Sequence, residues 1–110
     1  MRLAVHNPHY SNEIAGIMTK TLDQAQIQTS LASLPEWKLE QGELVRTVTF
    51  KDFLQAMKFV NQVADLAEKA GHHPDIDIRY NKVRLALVTH DAGGITQSDI
   101  SLAQDIDKKS

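Results

Sequence analysis

The stretch EKAGHHPDIDIRYNKVRLALVTHD, Glu68 to Asp91, decides the fold. Its first part, EKAG, closes a helix, with Gly71 placed to turn the chain just past the last helical residue. The segments IDIRY and VRLALVTH then read as two strands. Asn81-Lys82 joins them, because Asn accepts the positive φ that a two-residue hairpin turn needs. With that turn, Tyr80 faces Val83, Ile76 faces Leu87 and His73 faces His90. Pro74 has no N–H to give a ladder, so pairing frays before His73. The hairpin therefore brings His72, His73 and His90 to one edge, three of the five histidines in the chain.

Working outward, the period changes. From about Asp52 to Ala70 it is helical, with an apolar stripe of Phe53, Met57, Val60, Val63, Ala64 and Ala67. Before it, WKLEQGELVRTVTF alternates and forms a second hairpin. Trp37 and Leu39 share one face, Leu44, Val48 and Phe50 share the next strand's face with Arg46 as the exception, and Gln41-Gly42 is the turn. A helix opens at Asp23, where Gln26 completes a capping box and Leu22 with Ile27 a hydrophobic staple; Ile27, Leu31 and Leu34 are its apolar positions and Pro35 its end. After AGGI, Thr96 and Asp99 make another capping box, Ile95 and Ile100 another staple, and Ile100, Ala103 and Ile106 an apolar stripe. The order is α-β-β-α-β-β-α. The fold class is α+β: one domain over residues 21–110, a four-stranded antiparallel sheet with the helices on one face. A second subunit covering the other face or an edge strand is expected.

Residues 1–20 lack periodicity and read as an irregular N-terminal extension, in which His6 and His9 are solvated loop residues and Met18 is an alternative start. The N-terminus lacks the apolar core of a signal peptide, and no apolar run is long enough to span a bilayer. At 110 residues the chain holds one core. A net charge of -2 gives no sign of a nucleic-acid or membrane-surface partner. The absence of cysteine excludes disulfides, thiolate catalysis and Cys-type zinc sites, and fits a cytoplasmic protein.

The chemistry lies in the histidines. Imidazole titrates at about pH 6.5, so neighbouring rings hold different protonation states at neutral pH and one can donate while another accepts. Neither Gly-x-Ser-x-Gly nor a phosphate loop is present. The short DAGGI linker keeps Asp99 near His90, and Glu68 lies one helical turn before His72. Each residue also has a plain structural account: His72 and His73 as exposed loop residues, Asp99 as a cap, Glu68 as a surface carboxylate, and Asp75, Asp77 and Arg79 as a solvated strand face. A zinc site of three histidines and a carboxylate competes, although adjacent His72 and His73 point apart and helical zinc spacings are missing.

HHP, YNKV, THD and a later Asp, together with LPEW, TFKDF and AEKAGHHPDI, resemble the pterin-4a-carbinolamine dehydratases from about Leu22 to Ile106. The resemblance implies the same α-β-β-α-β-β-α fold and a homodimer or homotetramer. It also implies loss of water from a 4a-hydroxytetrahydropterin to give the quinonoid dihydropterin, with no metal and no cofactor. That substrate is generated by tetrahydropterin-dependent aromatic amino acid hydroxylases, so the implied role is pterin recycling. His72, His73 and His90 match the family's active-site histidines, with His72 and His90 assigned to proton transfer and His73 to pterin positioning. Glu68, Pro74, Thr89, Asp91 and Ala92 fall at substrate-binding positions, and Asp99 at a supporting acidic position that orients a histidine. Many members carry an aromatic residue at or near Ile76, which implies a changed pocket wall here. The rival readings are a non-catalytic dimerisation or assembly factor on this fold and a zinc hydrolase.

Overall fold

The computed structural model describes residues 20–110. The extension read over residues 1–20, with His6, His9 and Met18, lies outside the described residues apart from Lys20. The elements are α1 (Gln24–Leu31), β1 (Lys38–Glu40), β2 (Glu43–Thr49), α2 (Phe53–Ala70), β3 (Asp75–Arg79), β4 (Lys82–Leu87), a 3-10 turn (His90–Ala92) and α3 (Gln97–Asp107). The strands form one antiparallel sheet in the order β1-β2-β4-β3. The α+β architecture and element order are those read from the sequence.

Local chemistry sets the helix starts. Asp23 and Gln26 close a reciprocal capping box, each side chain bonded to the other's backbone N–H at 2.8 Å. Asp52 caps α2 by accepting from the Gln55 N–H at 2.9 Å. α1 stops at Leu31, ahead of Pro35, and the chain continues in tight turns that bury Leu34 and Trp37. In the first hairpin Gln41 (φ 50°) and Gly42 (φ 80°) both take positive φ, as a type I′ turn requires.

The second hairpin differs from the sequence register. Arg79 pairs with Lys82 and Ile76 with Leu85, so the turn is Tyr80-Asn81, and Tyr80 carries the positive φ of 52°. Asn81 has another task. Its side-chain amide donates to the Phe50 carbonyl at 2.8 Å, and its own carbonyl accepts from the Phe50 N–H at 2.8 Å. These bonds tie the hairpin tip to the end of β2. The ladder shifts by two residues in its partners, so every side chain keeps its face. His73 is not opposite His90.

Leu44 of β2 and Val83, Leu85 and Leu87 of β4 form the apolar sheet face, and the buried residues of all three helices join the same core. The opposite face is polar around buried Val45 and Ala86. The stripe of α2 is rotated from the sequence expectation: Ala56, Phe59, Val63 and Ala67 are buried, while Phe53 is 47% exposed and Ala64 is exposed. Phe59 sets the rotation by packing on Phe50 with ring centroids 5.1 Å apart.

Arg46, the exception in β2, reaches the end of α3. Its Nη1 donates to Asp107 Oδ1 at 2.6 Å, and Trp37 Nε1 donates to the same oxygen at 2.8 Å. Losing this shared acceptor leaves the Trp37 donor unpaired and takes the carboxylate from Arg46, whose Nη1 keeps only its bond to Ser110 Oγ at 2.8 Å. Asp107→Ala is expected to cost about 1–3 kcal/mol, read as a lower urea midpoint with an unchanged m-value.

Candidate active site

The site begins where α2 ends. Gly71 takes the left-handed conformation at φ 63° and ψ 28°. Its N–H donates to the Glu68 carbonyl at 3.2 Å, and the His72 N–H donates to the Ala67 carbonyl at 3.1 Å. These are the two bonds of a Schellman ending, so the backbone of His72 is held by the last turn of the helix. The chain then runs through half-buried Pro74 into β3.

His72 meets the start of α3. Its Nε2 lies 2.5 Å from Asp99 Oδ1, and the Asp99 residue is fully buried. Asp99 Oδ2 accepts from the Thr96 N–H at 2.9 Å and from Thr89 Oγ1 at 2.8 Å. One carboxylate thus caps a helix with one oxygen and holds a histidine with the other. An ionised carboxylate only accepts, so the proton of this bond sits on His72 Nε2. In the neutral ring, Nδ1 is then the basic atom. The arrangement suits a group that takes up and releases one proton.

His73 is held separately. Its Nε2 is 2.5 Å from Glu68 Oε2, in an exposed pair on the last turn of α2. The adjacent histidines are thus gripped by different carboxylates on different helices. His90 opens the 3-10 turn that also contains Asp91 and Ala92, and Gly93 (φ 78°) closes it. Thr89 and Gly94 pair across the base of that loop through N–H···O bonds of 3.0 and 3.4 Å. Thr89 is joined to Asp99 by its side chain, so the exposed His90 follows directly on the His72–Asp99 pair.

The structure therefore brings His72, Asp99 and Thr89 together, and His73 with Glu68. Pro74, Asp91 and Ala92 lie on the two connecting segments. Among the described residues, no group of three or more His, Asp or Glu side chains is arranged to hold a metal ion. Surface hollows of about 350 and 340 Å³ lie elsewhere, one lined by α1 and one by the polar sheet face. Sequence reasoning took Thr96 only as a cap. Its neighbourhood to Asp99 within one capping box was the available signal.

Residues 20–109 match the family described as Pterin 4 alpha carbinolamine dehydratase. The chain belongs to this family. A protein of Acidobacterium capsulatum named "Putative pterin-4-alpha-carbinolamine dehydratase" is 64% identical over 81 residues, covering 74% of this chain and 88% of the relative. One of the same name from Chloroflexus aurantiacus is 59% identical over 87 residues, covering 79% and 94%. Among solved structures, a transcriptional coactivator/pterin dehydratase from Brucella melitensis superposes with a TM-score of 0.78 at 33% identity, covering 81% of this chain and 97% of that one. A pterin dehydratase-like RuBisCO assembly factor of the alpha-carboxysome shares the fold, with a TM-score of 0.54 at 22% identity and coverage of 66% and 83%.

The Schellman ending gives a direct test of how His72 is held. A Cβ at position 71 disfavours the left-handed conformation, so Gly71→Ala is expected to lose about 1 kcal/mol of stability in urea unfolding.

Proposed function

We propose that this chain is a 4a-hydroxytetrahydropterin dehydratase, a hydro-lyase that works by histidine acid–base catalysis. The observation that carries the reading is the bond from His72 to the buried, hydrogen-bonded carboxylate of Asp99. The reaction breaks the C–O bond at C4a, removes a proton from a ring nitrogen and forms a C=N double bond. The hydroxyl leaves as water once it is protonated. An imidazolium supplies that proton and a neutral imidazole receives the other. His72 is suited to one of these roles through Nδ1, since Nε2 is committed to Asp99. His90, exposed on the adjoining turn, takes the other role. His73, tethered to Glu68, positions the pterin. Pro74, Asp91 and Ala92 line the substrate side, and Thr89 stands between substrate and Asp99. No metal or redox cofactor enters this chemistry.

The setting we propose is the cytoplasm, in recycling of a pterin oxidised by an aromatic amino acid hydroxylase. Among the described residues, no helix is long and apolar enough to cross a membrane. Assembly into a homodimer or homotetramer is supported by the uncovered apolar side of α2, where Phe53 is 47% and Leu54 76% exposed. A binding role on the same fold, as an assembly or dimerisation factor, is the alternative, and that same side of α2 would serve it.

The test is dehydration of freshly generated 4a-hydroxytetrahydropterin, followed by absorbance. Wild type is expected to accelerate loss of water, and folded His72→Ala and His90→Ala to lose about 10²-fold or more of that rate. A chelator is expected to leave the rate unchanged. A folded wild type no faster than buffer overturns the dehydratase reading, and loss of rate with chelator overturns its metal-free acid–base mechanism in favour of a bound metal.

A further inference from the structure

Asp99 does not stand alone behind His72. Thr89 Oγ1 donates to Asp99 Oδ2 at 2.8 Å, and Thr89 Oγ1 and Thr96 Oγ1 are 2.8 Å apart. Each hydroxyl has one proton to give. The proton of Thr89 goes to Asp99, so Thr96 must be the donor in the bond between the two threonines. A second count gives the same direction. Thr96 Oγ1 accepts from the Ser98 N–H at 3.2 Å and from the Asp99 N–H of the capping box, which uses its accepting capacity. The protons therefore run one way, from the α3 amides to Thr96, from Thr96 to Thr89 and from Thr89 to Asp99. Thr96 is fully buried and Thr89 half-buried, so neither bond is readily exchanged for water.

We infer that Thr96 and Thr89 form a one-way hydroxyl relay that fills Asp99 Oδ2 and so holds Oδ1 on the Nε2–H of His72. Both are positioning residues that act through Asp99. The inference rests on the dehydratase reading for its consequence in catalysis, but the geometry stands without it. It gives the Thr89 hydroxyl a role through Asp99, to which its one proton is committed. A carboxylate turns easily about its last torsion. With Oδ2 unfilled on one side, the grip of Oδ1 on His72 loosens.

The titratable groups around His72 are Asp99 from α3, then His73 and Glu68, which pair with each other, and His90 after Thr89 on the loop. A readout specific to the His72–Asp99 bond is therefore needed. That readout is exchange of the His72 Nε2 proton with solvent, followed by NMR in wild type, Thr89→Val and Thr89→Ser. Valine keeps the shape and removes the hydroxyl, whereas serine keeps the hydroxyl.

The Nε2 proton is expected to exchange about tenfold faster in Thr89→Val, the scale of one lost hydrogen bond. Backbone amides of α3 should keep their wild-type rates, and Thr89→Ser should restore the wild-type rate at Nε2. In the dehydration assay, Thr89→Val is expected to lower kcat about tenfold with KM unchanged. Equal Nε2 exchange in wild type and Thr89→Val overturns the relay, as does a raised KM with unchanged kcat, which would make Thr89 a substrate contact. If wild type shows no dehydratase activity, that reading fails by itself, and the exchange comparison still decides the relay.

Discussion

The carboxylate of Asp99 is the constraint on which the rest of the site depends. A buried charge is tolerated only when its hydrogen-bonding capacity is met. Here the partners come from three places: the Thr96 N–H at the start of α3, the Thr89 hydroxyl at the end of β4, and the His72 ring just after α2. Satisfying one side chain therefore fixes the relation of two helices and the sheet at the point where the chemistry is proposed. With Asp99 ionised, the same bond assigns the proton to His72 Nε2 and leaves Nδ1 outside it.

The fold serves this point from several directions. The Schellman ending at Gly71 fixes where His72 leaves the helix. The Thr89–Gly94 pairing closes the loop that carries His90, and the Thr21–Thr96 bridge, with the Leu22 N–H bonded to the Ile95 carbonyl at 2.8 Å, pins the segment leading into α3. Close packing leaves little room for change there. A Cβ on Gly94 would lie 2.7 Å from the methyl group of Thr21. At the far end of α3, Asp107 binds Trp37 and Arg46, so the helix is anchored at both ends.

Much of this was legible in the sequence, because it rests on local rules. The capping boxes at Asp23 and Thr96, the Gln41-Gly42 turn and the glycine stop at Gly71 each depend on residues a few positions apart. The errors came where a distant partner decided. Asn81 looked like a turn residue with positive φ, but its bonds to Phe50 moved the turn to Tyr80-Asn81. Phe53 matched the apolar period of α2, yet the packing of Phe59 on Phe50 turned it outward. Arg46 looked like a break in the pattern until Asp107 supplied its partner. At Asp99 the capping pattern accounted for one oxygen only, and the second pointed to His72 across a separation that no local rule spans. The pairing of His73 with Glu68 was closer to hand, since the histidine follows directly on the end of the helix.

The measurement that tests the central claim most directly is the tautomer of neutral His72, read from its ring nitrogen shifts in wild type and Asp99→Asn. In the wild type the proton is predicted on Nε2. In the variant, the amide oxygen is held by Thr96 and Thr89, so its NH₂ faces His72 and the ring must accept at Nε2. The proton is then predicted to move to Nδ1, the change of tautomer expected when an amide replaces a carboxylate behind a histidine. The same tautomer in both folded proteins would contradict the account.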